Sequence, residues 1–111
     1  MNSFSTHVLD TMHGRPAAGI ELALIGPDGA IERGTTNADG RCPELARQGL
    51  APGRYAVRFA VGDYFRAQGV DLPDPSFLEI VSVDFGIAAD GGHYHVPLLV
   101  SPYGYSTYRG S

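Results

Sequence analysis

The strongest constraint on the fold is a two-residue alternation of side chains that recurs in four stretches of the sequence. Successive side chains of a β-strand point to opposite faces of the sheet, so this alternation predicts half-buried strands. The residues that share one side are Ile20, Leu22 and Leu24 in GIELALIG; Tyr55, Val57, Phe59 and Val61 in RYAVRFAV; Phe77, Val81, Val83 and Phe85 in FLEIVSVDF; and Tyr94, Val96, Leu98 and Val100 in HYHVPLLVS.

Turn-forming residues separate the predicted strands, and many short strands at such spacing are typical of an antiparallel β-sandwich. These turns contain Pro27-Asp28-Gly29, Asp39-Gly40, Pro52-Gly53 and Asp90-Gly91-Gly92. The stretch GDYFRAQGV differs, because Asp63 could cap a helix of about two turns and Gly69 could end it. The 111 residues are therefore predicted to form one all-β domain, residues 1–111, with one short α-helix.

Composition excludes some classes of function. Eight Lys and Arg against twelve Asp and Glu give a net charge of −4, which argues against a nucleic-acid partner. The single cysteine, Cys42, cannot form an internal disulfide and fits a reducing compartment. MNSFSTHVLD has no basic region followed by an apolar run, and no stretch is long enough to span a bilayer. We expect a cytoplasmic protein without a signal peptide or a membrane partner.

Three histidines lie in strand-like segments and are candidates for chemistry. His93 and His95 are two apart and should project from one face, and His7 lies in the first apolar segment. Imidazole titrates near neutral pH, so it can act as an acid, a base or a ligand. A structural role and a zinc site that uses all three histidines remain alternatives. Pro97 cannot donate to a strand ladder, which predicts an edge or a bulge beside His95.

Arg41 follows the Asp-Gly turn in TTNADGRC and is expected to begin the next strand. It is either a solvated charge or a cationic fork for a carboxylate or a urea-like oxygen. Cys42, in GRCPEL, is better interpreted as a buried small apolar residue than as a nucleophile. There is no G-x-S-x-G motif, and Ser111 stands at the end of the sequence, so serine nucleophile chemistry is not indicated.

Four stretches, taken in order, resemble the 5-hydroxyisourate hydrolases, also called transthyretin-related proteins: STHVLD, TNADGR, VGDYFRAQG and HYHVPLLVSPYGYSTYRGS. The final YRGS is the most specific, because it separates the hydrolases from transthyretin, the hormone carrier. The resemblance implies a transthyretin-like (prealbumin-like) sandwich of two four-stranded sheets with one short helix. It also implies a homotetramer, a dimer of dimers with sites at the dimer–dimer interface.

The resemblance implies a reaction in urate degradation. Water opens the ring of 5-hydroxyisourate to give 2-oxo-4-hydroxy-4-carboxy-5-ureidoimidazoline, with no metal or organic cofactor. Matching the family motifs residue by residue implies that four residues are catalytic and also bind substrate: His7, Arg41, His95 and Ser111. Tyr108 and Arg109 are further substrate-binding residues by the same match. His93 has a supporting role.

Elementary chemistry is compatible with these assignments. Opening a cyclic amide requires an activated water and stabilisation of the charge that develops on the carbonyl oxygen. One histidine could take the water's proton and the other could protonate the leaving nitrogen, in an order that the sequence leaves open. Arg41 suits the oxyanion, while the hydroxyl and α-carboxylate of Ser111 could bind substrate and orient a histidine. The alternatives are a small-ligand carrier without catalysis, a zinc protein and a structural interaction domain.

Overall fold

The computed structural model describes residues 1–111 and contains two β-sheets, one α-helix and one 3-10 helix at Pro43–Leu45. The α-helix, α1, spans Val61–Ala67. The strands are β1 (Ser3–Asp10), β2 (Arg15–Pro16), β3 (Glu21–Ile25), β4 (Ile31–Thr35), β5 (Arg47–Gln48), β6 (Gly53–Phe59), β7 (Val81–Ile87), β8 (His93–Ser101) and β9 (Gly104–Thr107).

The two sheets differ in strand direction. One sheet, called the site sheet below, has the order β2-β1-β8-β9, and the two-residue β5 pairs with the beginning of β1. The second sheet has the order β4-β3-β6-β7 and is antiparallel throughout. The predicted all-β sandwich of two sheets with one short helix is confirmed, although β1 and β8 run parallel and β5 gives the site sheet a fifth strand. β1 and β8 lie near opposite ends of the sequence, so no hairpin turn imposes antiparallel pairing on them.

The alternating apolar positions form the core between the sheets, as the sequence predicts. One contiguous cluster of 20 buried residues includes members of both sheets and of α1. Phe77 is the exception: its side chain is 71% exposed, because β7 begins only at Val81. Burial of the remaining apolar side chains stabilises the fold through the hydrophobic effect, at about 25 cal/mol per Å² of apolar surface.

The helix begins two residues before the predicted cap. Ala60 occupies the N-cap position without a side-chain hydrogen bond, and Asp63 lies in the first turn, so the prediction that Asp63 caps the helix is wrong. Its negative charge still suits the positive end of the helix dipole. The predicted stop is confirmed, since α1 ends at Ala67 and Gly69 adopts φ +82°. With seven residues, α1 falls far short of the length and hydropathy of a membrane-spanning helix.

The remaining histidine, His13, belongs to a hydrogen-bond network at the C-terminal end of β1. The buried carboxylate of Asp10 accepts hydrogen bonds from the His13 ring (2.6 Å) and backbone amide (2.9 Å) and from the Tyr64 hydroxyl (2.8 Å). Burial raises the pKa of Asp10, but these hydrogen bonds outweigh it and the pKa lies below its usual value. Burial, followed by the bond to Asp10, raises the pKa of Tyr64 to about 12. The network joins β1 to α1.

Candidate active site

The outer face of the site sheet brings three predicted histidines onto two neighbouring strands. Ser3, Ser5 and His7 occupy alternate positions of β1, opposite the core-facing residues. The parallel register pairs Ser3 with His93, Ser5 with His95 and His7 with Pro97. Because directly paired residues of a sheet share a face, all these side chains lie on the side away from the core.

The Asp39-Gly40 turn holds His7. The Nε2 atom of His7 lies 2.7 Å from the Asp39 carbonyl oxygen, and the Val8 amide donates to the Gly40 carbonyl at 2.8 Å. Gly40 has φ +76°, and a Cβ atom there would lie 2.4 Å from the Val8 carbonyl oxygen. Only glycine tolerates both the positive φ and the close approach to Val8, so the turn fits closely against β1 beside the imidazole.

The carbonyl partner fixes how His7 is protonated. A carbonyl oxygen only accepts hydrogen bonds, so Nε2 must carry a proton and donate it to Asp39. In the neutral imidazole the other nitrogen, Nδ1, then holds a lone pair. His7 is therefore oriented with a basic nitrogen available for chemistry.

Arg41 enters the site by its backbone pairing. It forms an isolated antiparallel bridge with His7. The Asn37 side-chain oxygen accepts hydrogen bonds from the backbone amides of Asp39 (3.0 Å) and Arg41 (3.1 Å). The prediction that Arg41 begins a strand is wrong, because the chain turns into the 3-10 helix that starts at Pro43. The exposed Arg41 side chain thus follows a rigid turn next to His7.

The C-terminal segment returns to His95. Leu98 pairs with Thr107 and His95 with Gly110. His95 lies three residues before Leu98 and Gly110 three residues after Thr107, so the antiparallel register is unchanged across Pro97. The predicted bulge or edge at Pro97 is therefore wrong: the residue is buried within β8, and its missing amide costs a ladder hydrogen bond without shifting the strand.

Gly110 packs directly against the second catalytic candidate. Its amide donates to the His95 carbonyl at 2.8 Å. A Cβ atom on Gly110 would lie 2.5 Å from the Cδ2 atom of His95, so any side chain there would displace the ring or the segment. The tail thereby sets the position of the His95 imidazole.

Hydrogen bonds connect four side chains along the outer face. The Ser3 hydroxyl lies 2.6 Å from Nδ1 of His93, whose Nε2 lies 2.9 Å from the Ser5 hydroxyl. The same Ser5 oxygen lies 2.7 Å from Nδ1 of His95. Sequence reasoning missed both serines, although the S-x-S-x-H alternation in SFSTH places them on the face of His7.

The environment of His95 perturbs its pKa. Burial of the ring lowers the pKa of His95 below its usual value, and the positive charge of Arg41, with those of His93 and His7 when these rings are protonated, lowers it further. Their influence on one ring shows that these four residues share one electrostatic environment. At neutral pH His95 is uncharged.

The other predicted tail residues occupy different places. Tyr108 is exposed, and the register sets it opposite Pro97 on the outer face. The Arg109 guanidinium lies 4.0 Å from the Tyr94 ring centroid and donates to the carbonyls of Gly91 (2.7 Å) and His93 (3.1 Å). Ser111 is exposed and forms no ion pair with a histidine of the same chain. The structure brings His7, Arg41, His93 and His95 together. The catalytic and substrate-binding roles of these residues, and those of Tyr108, Arg109 and Ser111, stay predictions.

Two further alternatives gain no support from the geometry. No group of three or more His, Cys, Asp or Glu side chains is positioned to hold a metal ion. Cys42 is buried against Gly34, and burial raises the pKa of its thiol, which matches its interpretation as a packed apolar residue. Neither of two grooves on the second sheet contains a predicted site residue.

Comparison with known proteins agrees with this geometry. Residues 4–110 match the HIUase/Transthyretin family. A 5-hydroxyisourate hydrolase of Mesorhizobium japonicum is 54% identical over 96% of this chain and 90% of its own length. The structure of Klebsiella pneumoniae 5-hydroxyisourate hydrolase has a TM-score of 0.85 and 36% identity, covering 100% of this chain and 94% of that one. Sea bream transthyretin in complex with thyroxine has a TM-score of 0.82 and 29% identity, covering 96% and 93%. The predicted resemblance is thereby confirmed, and the chain belongs to the HIUase/transthyretin family.

Proposed function

We propose that this chain hydrolyses 5-hydroxyisourate to 2-oxo-4-hydroxy-4-carboxy-5-ureidoimidazoline, a ring-opening step of urate degradation. The observation that carries the proposal is the meeting of His7, Arg41 and His95 on one face of the site sheet, each from a separate motif. The relatives support the same activity, since the similar bacterial proteins are named 5-hydroxyisourate hydrolases.

His7 is the group best suited to activate water. Its Nε2 proton is committed to the Asp39 carbonyl, so Nδ1 is the nitrogen that can accept a proton. A general base whose pKa is near the working pH typically contributes a factor of about 10² to 10⁴ in rate. His7 thus takes a proton from the attacking water in this proposal.

Arg41 stabilises charge on the ring carbonyl. The guanidinium stays protonated at all physiological pH values and offers several donors in a fixed plane. The Asn37 side chain and the bridge to His7 fix its backbone. Charge stabilisation by preorganised donors is often the largest contribution to such reactions.

His95 completes the proposal as the proton donor to the leaving nitrogen. The Ser5 hydroxyl occupies its Nδ1, so Nε2 is the atom free to face substrate. Ser111 and Tyr108, whose segment runs beside His95, are proposed to bind polar edges of the substrate, with Arg109 holding that segment over Tyr94.

We propose a homotetramer, a dimer of dimers with sites at the dimer–dimer interface. The side chains of His93, Arg41 and Tyr108 are exposed on the outer face of the single chain. A second copy packed on this face would exclude water and surround a small substrate. This arrangement would also place the exposed tail in contact with another subunit.

The remaining proposals concern the chain as a whole. Residues 1–111 are proposed to act as one domain in the cytoplasm, where a free buried Cys42 stays reduced. The proposed reaction uses water and the side chains alone, without a cofactor.

The main competitor is a small-ligand carrier, as the transthyretin structure with thyroxine illustrates. The test is ultraviolet absorbance during urate oxidation by a urate oxidase, with and without this protein. A hydrolase shortens the lifetime of 5-hydroxyisourate in proportion to the protein added, over many equivalents per chain. A carrier affects at most one equivalent of 5-hydroxyisourate per site, and that outcome would contradict hydrolysis and favour the carrier.

A further inference from the structure

We propose that Ser3, His93, Ser5 and His95 form a proton relay that links the Nε2 atom of His95 to solvent. The inference rests on the proposed function, and it assigns positioning roles to three residues of the same site. Its basis is the unbroken series of contacts along the outer face, at 2.6, 2.9 and 2.7 Å.

Each member of the series can both donate and accept. A serine hydroxyl has one proton and two lone pairs, while a neutral imidazole donates from one nitrogen and accepts at the other. If Ser3 donates to His93, then His93 donates to Ser5 and Ser5 donates to His95. Reversing the first bond reverses all of them, so the series has two self-consistent directions.

His7 determines which direction is needed at the start of the reaction. Its Nε2 donates to the Asp39 carbonyl, so neutral His7 carries a lone pair on Nδ1 and begins the reaction as the base. In the proposed mechanism His95 supplies the proton to the leaving nitrogen. This requires His95 with a proton on Nε2 and a lone pair on Nδ1, which is the direction in which Ser3 is the first donor.

The proton transfers balance along the series. As the carbon–nitrogen bond of the substrate breaks, Nε2 of His95 gives its proton to the nitrogen. Nδ1 of His95 takes the Ser5 proton, and Ser5 takes the Nε2 proton of His93. Nδ1 of His93 takes the Ser3 proton, and Ser3 takes one from a solvent water, whose hydroxide is neutralised by the proton that His7 took from the attacking water. His95 therefore stays neutral, and the series ends in the reverse direction. After the product leaves, the same transfers run backwards: Nε2 of His95 takes a proton from water, and Ser3 returns one to water.

Such a relay answers a chemical difficulty at His95. Burial and the charge of Arg41 disfavour its protonated form, so it begins the reaction neutral. A neutral imidazole that loses its only proton becomes an anion, which is an unfavourable product at neutral pH. Simultaneous supply of a proton to Nδ1 avoids that anion.

The kinetic test compares Ser5→Ala with Ser5→Thr, and with Ser82→Ala on the second sheet as a control. Ser5→Ala removes the hydroxyl, while Ser5→Thr keeps it on a side chain that strands accept. We expect kcat to fall roughly 10- to 100-fold in Ser5→Ala with little change in KM, and to recover in Ser5→Thr. Equal kcat in Ser5→Ala and the wild type would overturn the relay.

A second test does not need turnover. Two-bond proton–nitrogen spectra of protein carrying ¹⁵N-histidine report which nitrogen of His95 is protonated. The relay requires Nε2–H in the free wild-type protein, and a resting Nδ1–H form would contradict it. If the wild type consumes no 5-hydroxyisourate, the proposed function fails; if it turns over normally but Ser5→Ala is equally active, only the relay fails.

Discussion

The two catalytic candidates, His7 and His95, are held in contrasting ways. Each lies on the outer face of the site sheet, and each has a glycine of a distant segment against its ring, Gly40 or Gly110. His7 donates to a backbone carbonyl of the Asp-Gly turn, whereas His95 contacts the hydroxyl of Ser5. The carbonyl imposes one tautomer, while the hydroxyl permits either.

This difference indicates how one face can supply both a base and an acid. A neutral histidine bound to a carbonyl keeps the lone pair on its other nitrogen, because that partner cannot donate, and it therefore begins the reaction as a base. A histidine bound to a hydroxyl can exchange roles as the hydroxyl rotates. The fixed group, His7, lies against the rigid Asp39-Gly40 turn, and the adaptable group, His95, lies where side chains of two strands meet.

The largest expected effect comes from removing either imidazole. His7→Ala and His95→Ala should each lower kcat by about 10² to 10⁴, because each loses a proton-transfer group. Steady-state kinetics on freshly generated 5-hydroxyisourate, with circular dichroism to verify folding, would measure this. A folded variant that keeps more than about a tenth of the wild-type rate would remove that histidine from the proposed mechanism.

Deleting residues 108–111 should abolish most activity but leave a folded sandwich. The deletion removes the Gly110 bridge to His95 and the Arg109 contacts with Tyr94 and two carbonyls. Those contacts together suggest a loss of about 1–3 kcal/mol in the free energy of unfolding. Thermal denaturation and turnover would be measured on the same sample, and unchanged turnover would refute the role of the tail.

The single variants Gly40→Ala and Gly110→Ala should separate an effect on stability from an effect on activity. Gly40→Ala meets the Val8 backbone and adopts an unfavourable positive φ, so we expect a loss of about 1–3 kcal/mol in stability. Gly110→Ala meets only the His95 side chain, so stability should change less while kcat falls. Urea denaturation and kinetics on both variants would test the contrast, which fails if Gly110→Ala is the less stable of the two.

The smallest effect concerns the pKa of His95. Burial contributes most to lowering this pKa, followed by Arg41, His93 and His7, so Arg41→Ala should raise it towards the ordinary histidine value. Since the pKa of His95 is lower in the folded than in the unfolded protein, the free energy of unfolding decreases as pH falls from the ordinary histidine pKa towards the folded one. Arg41→Ala should reduce this decrease in stability. A proton NMR titration of the His95 ring would measure the shift, and an unchanged or lower pKa would contradict the assignment.

Local patterns predicted much of the fold, because alternation and turn residues act over short distances. Leu22, Val57 and Leu98 are buried as their positions predict, and Gly69 ends the helix. The prediction that Asp63 caps the helix is wrong, because Val61 and Gly62 are buried and their packing extends the helix towards β6. Propensity is a weak guide where tertiary contacts decide a helix boundary.

The site was only partly predictable, because its geometry depends on long-range pairing. The motif residues His7, Arg41 and His95 could be assigned by family resemblance. The contacts of Ser3 with His93 and of Ser5 with His95 each join residues 90 positions apart, and they require a parallel β1–β8 pair that no local signal specifies. The unshifted register across Pro97 likewise depends on the returning tail.

The most direct test of the account is the rate of 5-hydroxyisourate loss with the wild type and with the double variant His7→Ala/His95→Ala at equal concentrations of folded protein. Absorbance following complete urate oxidation gives this rate without a coupled step. The account predicts decay that accelerates in proportion to wild-type protein and stays at the spontaneous rate with the double variant. Equal acceleration by both proteins, or by neither, would contradict hydrolysis at this face of the site sheet.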